Sequence, residues 1–272
     1  MKDITDQEFH QIRSYIKTNF GISMGEEKKS LIHSRLRTVL AEKGFESFSE
    51  YYDYLVKDKT GKAVTQFVDK VTTNHTYFQR ETDHFDFFRD IALPQIEESH
   101  KKDRDLRVWC AGCSTGEEPC QLEMILQDYF KLKREHWDTQ LLATDISTQV
   151  LEKAQAGMYL AESVKALPRT WQTEYFRKVD DERWAVSEKI KGQITYRKLN
   201  LMEEAFPFRK PMQAIFCRNV MIYFDNETRD QLVEKFYGLT EPGGYLFIGH
   251  SESLNHSSTK YKYIKPAIYR KL

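Results

Sequence analysis

Residues 108–126 read VWCAGCSTGEEPCQLEMIL, and their types point to a ligand. Ala111, Gly112, Cys113, Ser114, Thr115 and Gly116 carry little side-chain bulk, so backbone N–H groups there can approach a bound molecule closely. Glu117 and Glu118 follow at once. A phosphate-binding loop of the GxxxxGK[ST] type needs a lysine on the phosphates, and two carboxylates would repel them. A dinucleotide fingerprint needs GxGxxG, whereas Gly112 and Gly116 are only two glycines at the wrong spacing. A ligand offering positive charge or hydroxyl donors turns those carboxylates into partners, and S-adenosylmethionine, with its ammonium and sulfonium groups, fits. Small residues packing a strand against a helix are the duller reading. No metal is expected: Cys110, Cys113 and Cys120 are three thiols, a zinc site takes four ligands, and no His follows at a ligand spacing.

Other reactive residue types recur after apolar runs: Asp145 after LLAT, Asn200 after TYRKL, Cys217-Arg218-Asn219 after QAIF, and His250 after YLFIG. Asp145 stands 27 residues beyond Glu118, near the distance at which a second strand delivers an acid to a ribose. Its carboxylate suits two ribose hydroxyls, and it suits equally the N-cap of the next helix, as does Ser147.

The elements needed to position these groups are legible. LRVWCA, QLLATDI, ITYRKLNL, MQAIFCRNVMIYF and GYLFIGH read as strands, separated by helical segments such as 149–155 and 227–239. That succession implies a mostly parallel sheet flanked by helices, in which ligands bind beyond the C-terminal strand ends. Residues 1–75 read as an all-helical domain, with Phe9, Ile12, Ile16 and Phe20 on one face of a first helix and Ile32, Leu36, Val39 and Leu40 on a second. Residues 76–105 form a linker helix and 106–272 the sheet domain, with an antiparallel excursion at about 175–199 around an Asp-Asp-Glu turn.

A chain of 272 residues can bury one large or two modest cores. Its 41 basic residues balance 41 acidic ones, so it lacks the basic footprint of a nucleic-acid partner. Four Cys and an N-terminus without a signal-peptide core point to a reducing cytoplasm. No apolar run approaches the ~18 residues of a membrane span, so no membrane insertion is expected.

TTNHTYFQRE, STGEEP, ATDIS, the Asn200-Leu201 pair, IFCRNVMIYF and EPGGYLFIGHSE together resemble the bacterial chemotaxis receptor glutamate methyltransferases, the CheR family. The resemblance covers nearly the whole chain. It implies an α/β fold: a Rossmann-like S-adenosylmethionine-dependent methyltransferase domain with a small antiparallel β-subdomain, preceded by an all-helical N-terminal domain. It implies methyl transfer to glutamate side chains on the cytoplasmic helices of methyl-accepting chemotaxis receptors, giving glutamyl methyl esters and S-adenosylhomocysteine. Carried over by position, it places Asn74, Thr76, Arg80, Glu118, Asp145, Asn200, Leu201, Arg218 and Asn219 at the cofactor, and Arg80 and Tyr223 where the reacting groups are oriented. Arg80 can hold either the acceptor or the cofactor's own carboxylate. Gln79 and Cys120 depart from the family pattern, the latter standing where a Tyr is common.

Duller readings remain open at this stage: Arg80 pairing with Glu81 or Asp83, Asn219 capping a turn, Tyr223 in an apolar strand. Arg35 and Arg37, with Lys28, Lys29 and Arg13, are expected to form a basic, substrate-binding surface for acidic receptor helices. The turn at 178–183 is shorter than in peptide-binding members and lacks their glycines, so a receptor tail tether is not expected, and the protein is expected to act as a monomer. A regulator that has lost catalysis, a nicotinamide dehydrogenase and a nucleic-acid methyltransferase are the rivals, each disfavoured by the residues above.

Overall fold

The computed structural model describes residues 3–131, 133, 136–139 and 141–272. The first helices are α1 (Asp6–Phe20), α2 (Lys29–Lys43), α3 (Phe48–Lys57) and α4 (Lys62–Val71). Thr5 and Glu8 close a capping box at the start of α1, each side chain serving the other's backbone N–H. The second Glu8 oxygen accepts from Ser49 N and Oγ, tying α1 to α3. Phe9, Ile12, Ile16, Ile32, Leu36, Val39 and Leu40 are buried in a core separate from the sheet's, as their spacing predicts. At Gly21 (φ +70°) a Cβ would lie 2.3 Å from Met202 Sδ, so the chain leaves α1 pressed against the second unit.

The linker helix is built of α5 (Thr82–Phe87), a π-turn over Phe88–Ala92 and α6 (Leu93–Ser99). Leu93 N–H reaches back to Phe88 O, and Pro94, next in line, has no N–H to offer.

The sheet domain follows as β1 (Val108–Ala111), α7 (Glu117–Phe130), β2 (Leu141–Asp145), α8 (Thr148–Ala156), β3 (Met158–Leu160), α9 (Ala161–Val164) and α10 (Arg169–Tyr175). It continues through β4 (Phe176–Lys178), β5 (Arg183–Val186), α11 (Glu188–Lys191), β6 (Ile194–Lys198), β7 (Met212–Cys217), α12 (Asn226–Leu239), β8 (Thr240–Ile248), β9 (Lys262–Lys265) and β10 (Ile268–Arg270). The main sheet has the order β6-β2-β1-β7-β8-β10-β9, parallel as far as β8 and antiparallel at β10 and β9. Every residue of β1 and β7 is buried, as central parallel strands require. The strand order reverses between β1 and β7, which opens a crevice at their C-terminal ends.

Three sequence readings need correction. The antiparallel excursion is a three-stranded sheet of order β3-β5-β4; it begins at Met158, while β6, read both as a strand of the parallel succession and, by the 175–199 boundary, as part of the excursion, pairs in parallel with β2. Alternating burial of Ile194 and Tyr196 is the same for either partner, so the local pattern could not choose. The run MQAIFCRNVMIYF is a strand only to Cys217; Asn219 takes φ +59° and Met221–Tyr223 is a 3-10 turn. The C-terminal hairpin β9 and β10 was not read from the sequence. Among the described residues, no helix is long and apolar enough to cross a membrane.

At the opposite end of the sheet His100 bridges Glu241 (Nε2 to Oε1, 2.6 Å) and Asp103 (3.1 Å). Burial disfavours its imidazolium, but the two carboxylates outweigh burial and raise its pKa. A raised folded pKa contributes stability that is fully present below the unfolded value of about 6.5 and is lost as pH rises through the folded one. The Tm difference between the parent and His100→Gln should therefore shrink from about pH 6 to about pH 9. A difference that stays constant over that range would mean that folding does not shift the pKa of the ring.

Candidate active site

The crevice at the β1/β7 switch is a cleft of about 360 Å³, lined by both the helical unit and the sheet domain. The loop after β1 is pinned to the end of β2: Gly112 N and Cys113 N donate to Thr144 O (2.8 and 2.9 Å), and Ser114 N donates to Asp145 Oδ2 (2.9 Å). At Gly112 (φ +88°) a Cβ would meet Val220 Cγ2 at 2.4 Å, so this loop and the one after β7 interlock only around a glycine. Asp145 Oδ1 accepts Ser147 N (2.9 Å), and it is Ser147 that caps α8. Burial pushes the Asp145 carboxyl pKa up against these amide donors. With the Ile146 amide also acting on it, the carboxylate still keeps acceptor capacity, since it offers about four lone-pair sites.

Arg218 is the electrostatic centre of the cleft wall. Its side chain is 2% exposed, and its guanidinium donates to Glu118 Oε2 (2.6 Å), Glu81 Oε2 (3.1 and 3.3 Å) and Arg80 O, with Phe85 beneath it. Three partners draw on the several donors of the guanidinium fork. Glu81 also accepts Asn219 Nδ2 (3.2 Å) and His250 N (3.1 Å) on Oε1. Burial works against the Glu81 carboxylate, but Arg218 and these donors hold its pKa below the usual range. Two carboxylates, Glu118 on the cleft lining and Glu81, share this one guanidinium. The Cys110 thiol donates to the other Glu118 oxygen (3.0 Å).

Buried Glu252 fixes the loop after β7 by accepting Asn219 N (3.0 Å), Ile222 N (3.0 Å) and Gly249 N (2.5 Å). That loop places Tyr223, whose hydroxyl faces Thr73 O at 3.4 Å. Arg80 donates to His75 O (2.9 Å) and lies over the Tyr77 ring. The local pairing open in the sequence does not form, because Glu81 is taken by Arg218 and Asp83 by His250. Arg80 thus has no carboxylate partner among the described residues. Asn74 receives Ser114 Oγ on its carbonyl (2.9 Å), and Asn200 Nδ2 donates to Asn19 O (2.7 Å), joining the site to α1. Thr76 and Leu201 complete the set: Asn74, Thr76, Arg80, Glu118, Asp145, Asn200, Leu201, Arg218, Asn219 and Tyr223 all line this one cleft.

Arg35 and Arg37 do not. Arg35 donates to Val71 O (2.8 Å), Thr72 O (3.1 Å) and Thr73 Oγ1 (3.2 Å), holding the end of α4 beside the cleft, whereas Arg37 is exposed on another face of α2. Arg13 and Lys29 are paired with Glu26 and Asp6, so the expected basic surface is partly neutralised. Lys28, named only as part of that surface, lies at the cleft rim. Glu81 and Glu252 were missed as site-builders, since nothing in a sequence tells which carboxylate will be buried.

Glu81, His84 and His250 bring candidate metal-ligand atoms within 4.8 Å of one another. Arg218 already occupies the Glu81 oxygen nearest His84, and a dication there would face that guanidinium directly. His84 is wholly buried, and burial followed by Arg218 pushes its pKa down to about 4. It is a neutral ring packed on Phe247 and His250.

The cleft fits S-adenosylmethionine on its own chemistry: the Glu118 carboxylate for a cation, Asp145 with acceptor capacity for hydroxyls, an acid-free Arg80 for a carboxylate, and a volume in the range of small-molecule sites. Residues 74–269 match the family model described as CheR methyltransferase, SAM binding domain, and residues 7–72 match CheR methyltransferase, all-alpha domain. The chain belongs to the CheR methyltransferase family. Its relatives include the chemotaxis protein methyltransferase of Borreliella burgdorferi, 41% identical over 99% of this chain and 95% of that protein. Those of Pseudomonas aeruginosa (chemotaxis protein methyltransferase 2; 34% identity, 97% and 93%) and Escherichia coli (32%, 98% and 91%) are similar across the same extent. As a CheR methyltransferase the protein uses S-adenosylmethionine as methyl donor.

Proposed function

We propose that the methyl acceptor is the side-chain carboxylate of glutamates on the cytoplasmic helices of chemoreceptors, with glutamyl methyl esters as product. The observation that carries this reading is Arg80: a cation in the cleft, next to Tyr223, that no acidic side chain among the described residues neutralises. S-adenosylmethionine, when bound, supplies a methyl group activated by a positively charged sulfur. A glutamate with a pKa of about 4.3 is already ionised at neutral pH, so no residue of the chain has to remove a proton.

The chain's task is alignment and exclusion of water. Arg80 supplies charge-assisted hydrogen bonds to a carboxylate, and Tyr223 supplies a neutral O–H donor. Burial pushes the Tyr223 phenol pKa up, with Arg80 and Arg35 pulling against it. Holding the reacting atoms about 3–3.5 Å apart in a dry cleft is worth more here than proton transfer. Glu118 and Arg218 set the wall's charge, Asp145 takes hydroxyls, and Asn74, Thr76, Asn200, Leu201 and Asn219 shape the rest of the donor site.

Arg37 and Lys28, with Arg35 behind them, support docking of an acidic receptor helix across α2 and the cleft mouth. The turn between β4 and β5 is closed on itself, with Asp180 accepting Glu182 N and Arg183 N and pairing with the Arg183 guanidinium. This closed turn supports action without a receptor tail tether, and the proposed enzyme is monomeric and cytoplasmic.

Incubation with radiolabelled methyl donor and receptor-containing membranes should give label on receptor that alkali releases. Alkali-stable label would mean a different acceptor atom. Asp145→Ala should weaken binding of S-adenosylhomocysteine by about tenfold or more, through loss of the hydroxyl acceptor and of the brace on Ser114 N. Calorimetry showing unchanged affinity would remove Asp145 from the site.

A further inference from the structure

The small antiparallel sheet reaches the active site through one side chain. On β3, Met158 (38%) and Leu160 (60%) are exposed while Tyr159 between them is 6% exposed, so the strand turns its tyrosine into the body of the sheet domain. The Tyr159 hydroxyl donates to Thr115 O (3.1 Å) in the glycine loop, and Cys120 Sγ lies 3.4 Å from the Tyr159 hydroxyl oxygen. At Gly116 (φ +94°) a Cβ would stand 2.9 Å from that hydroxyl, so the loop's last turn is seated directly on the phenol. Burial pushes both the Tyr159 and the Cys120 pKa up. Thiol and phenol are therefore neutral, and S–H to O–H to C=O forms a consistent donor chain.

The ring has a second contact. Phe78, fully buried, meets Tyr159 edge to face (5.0 Å, 68°) and Phe176 of β4 at 5.9 Å and 90°. Phe78 leads directly into the turn in which Gln79 (φ +65°) and Glu81 (φ +54°) hold left-handed backbone on either side of Arg80. Such backbone persists only where its surroundings impose it, and here Gln121 Oε1, which accepts Gln79 N (2.8 Å), shares that task with the Phe78 anchor.

We infer that Tyr159 is a positioning residue for methyl transfer: its hydroxyl sets the donor loop, and its ring, through Phe78, sets the Arg80 turn. The small sheet is then a clamp on both edges of the cleft. The inference rests on the S-adenosylmethionine reading of the cleft but not on the identity of the acceptor.

Tyr159→Phe keeps the ring and removes the hydroxyl. Calorimetric titration with S-adenosylhomocysteine should show Kd raised by about three- to tenfold at full binding stoichiometry. The turnover number at saturating donor should stay within about twofold of the parent. Phe78→Leu should do the reverse, lowering turnover more than it weakens S-adenosylhomocysteine binding. A Tyr159→Phe protein that binds with parental Kd would overturn the proposal, as would one whose only defect is a smaller binding-competent fraction. If the parent itself bound S-adenosylhomocysteine but failed to label receptors, the acceptor reading would fall and this one would stand.

Discussion

Arg80→Ala should lose about two to three orders of magnitude in turnover while remaining folded. The guanidinium contributes little to the fold: it is partly exposed, donates to a single backbone carbonyl at His75 and rests on the Tyr77 ring. The polar contacts that hold this region, Glu81 with Arg218 and Asp83 with His250, do not involve it. In the proposed role it orients a carboxylate in the cleft, where an error of about 1 Å costs ~100-fold in rate. Receptor methylation at saturating donor, alongside circular dichroism and thermal melting, separates the two roles. Near-parental methylation by the folded variant would refute the assignment. Arg80→Lys should recover only part of the rate, because an ammonium keeps the charge and loses the planar fork.

Arg218→Ala has the largest expected effect on stability, about 3–5 kcal/mol, because it strands Glu81 and Glu118 without their shared cation. The effect should depend on pH, and the sign follows from Glu81. Its folded pKa is depressed, so its stabilisation is present above the unfolded value of about 4.3 and is lost as pH falls through the folded one. The Tm gap between parent and variant should therefore be widest near neutrality and narrow in acid, where a stranded carboxylate can take up a proton. A gap unaffected by pH would mean that the guanidinium acts mainly through its packing on Phe85.

These two arginines illustrate how far the residues alone can be read. Helix faces in the first unit were legible because Phe9, Ile12 and Ile16, or Ile32, Leu36 and Val39, repeat with the helical period and need no distant partner. The placement of Glu118, Asp145 and Arg218 at strand ends followed from the topology of parallel sheets, which local patterns imply. Choice of partner was not legible. Arg80 beside Glu81 invites a neighbourly ion pair, yet Glu81 crosses to Arg218, far away in the sequence. Ile194–Lys198 alternates as an excursion strand would, yet joins the main sheet. Tyr223 reads as strand because Ile222 and Phe224 flank it, but Glu252 captures the amides of Asn219 and Ile222 and turns the chain instead. Arg35 looked like a free surface charge and spends its donors on the end of α4. In each case a long-range polar contact overrides a local pattern, and periodicity carries no record of such contacts.

The cleft has walls from two bodies that each possess a hydrophobic interior of their own, fastened by contacts such as Asn200 to Asn19, Ser147 to Asp69 and Ser23 N to Tyr223 O. A nucleoside seated in that cleft would act as mortar between two bricks: whatever free energy its capture releases would also resist their separation. Cohesion of the molecule and affinity for its methyl donor would then be linked, and a substitution that loosens the seam would be felt by the ligand without touching it.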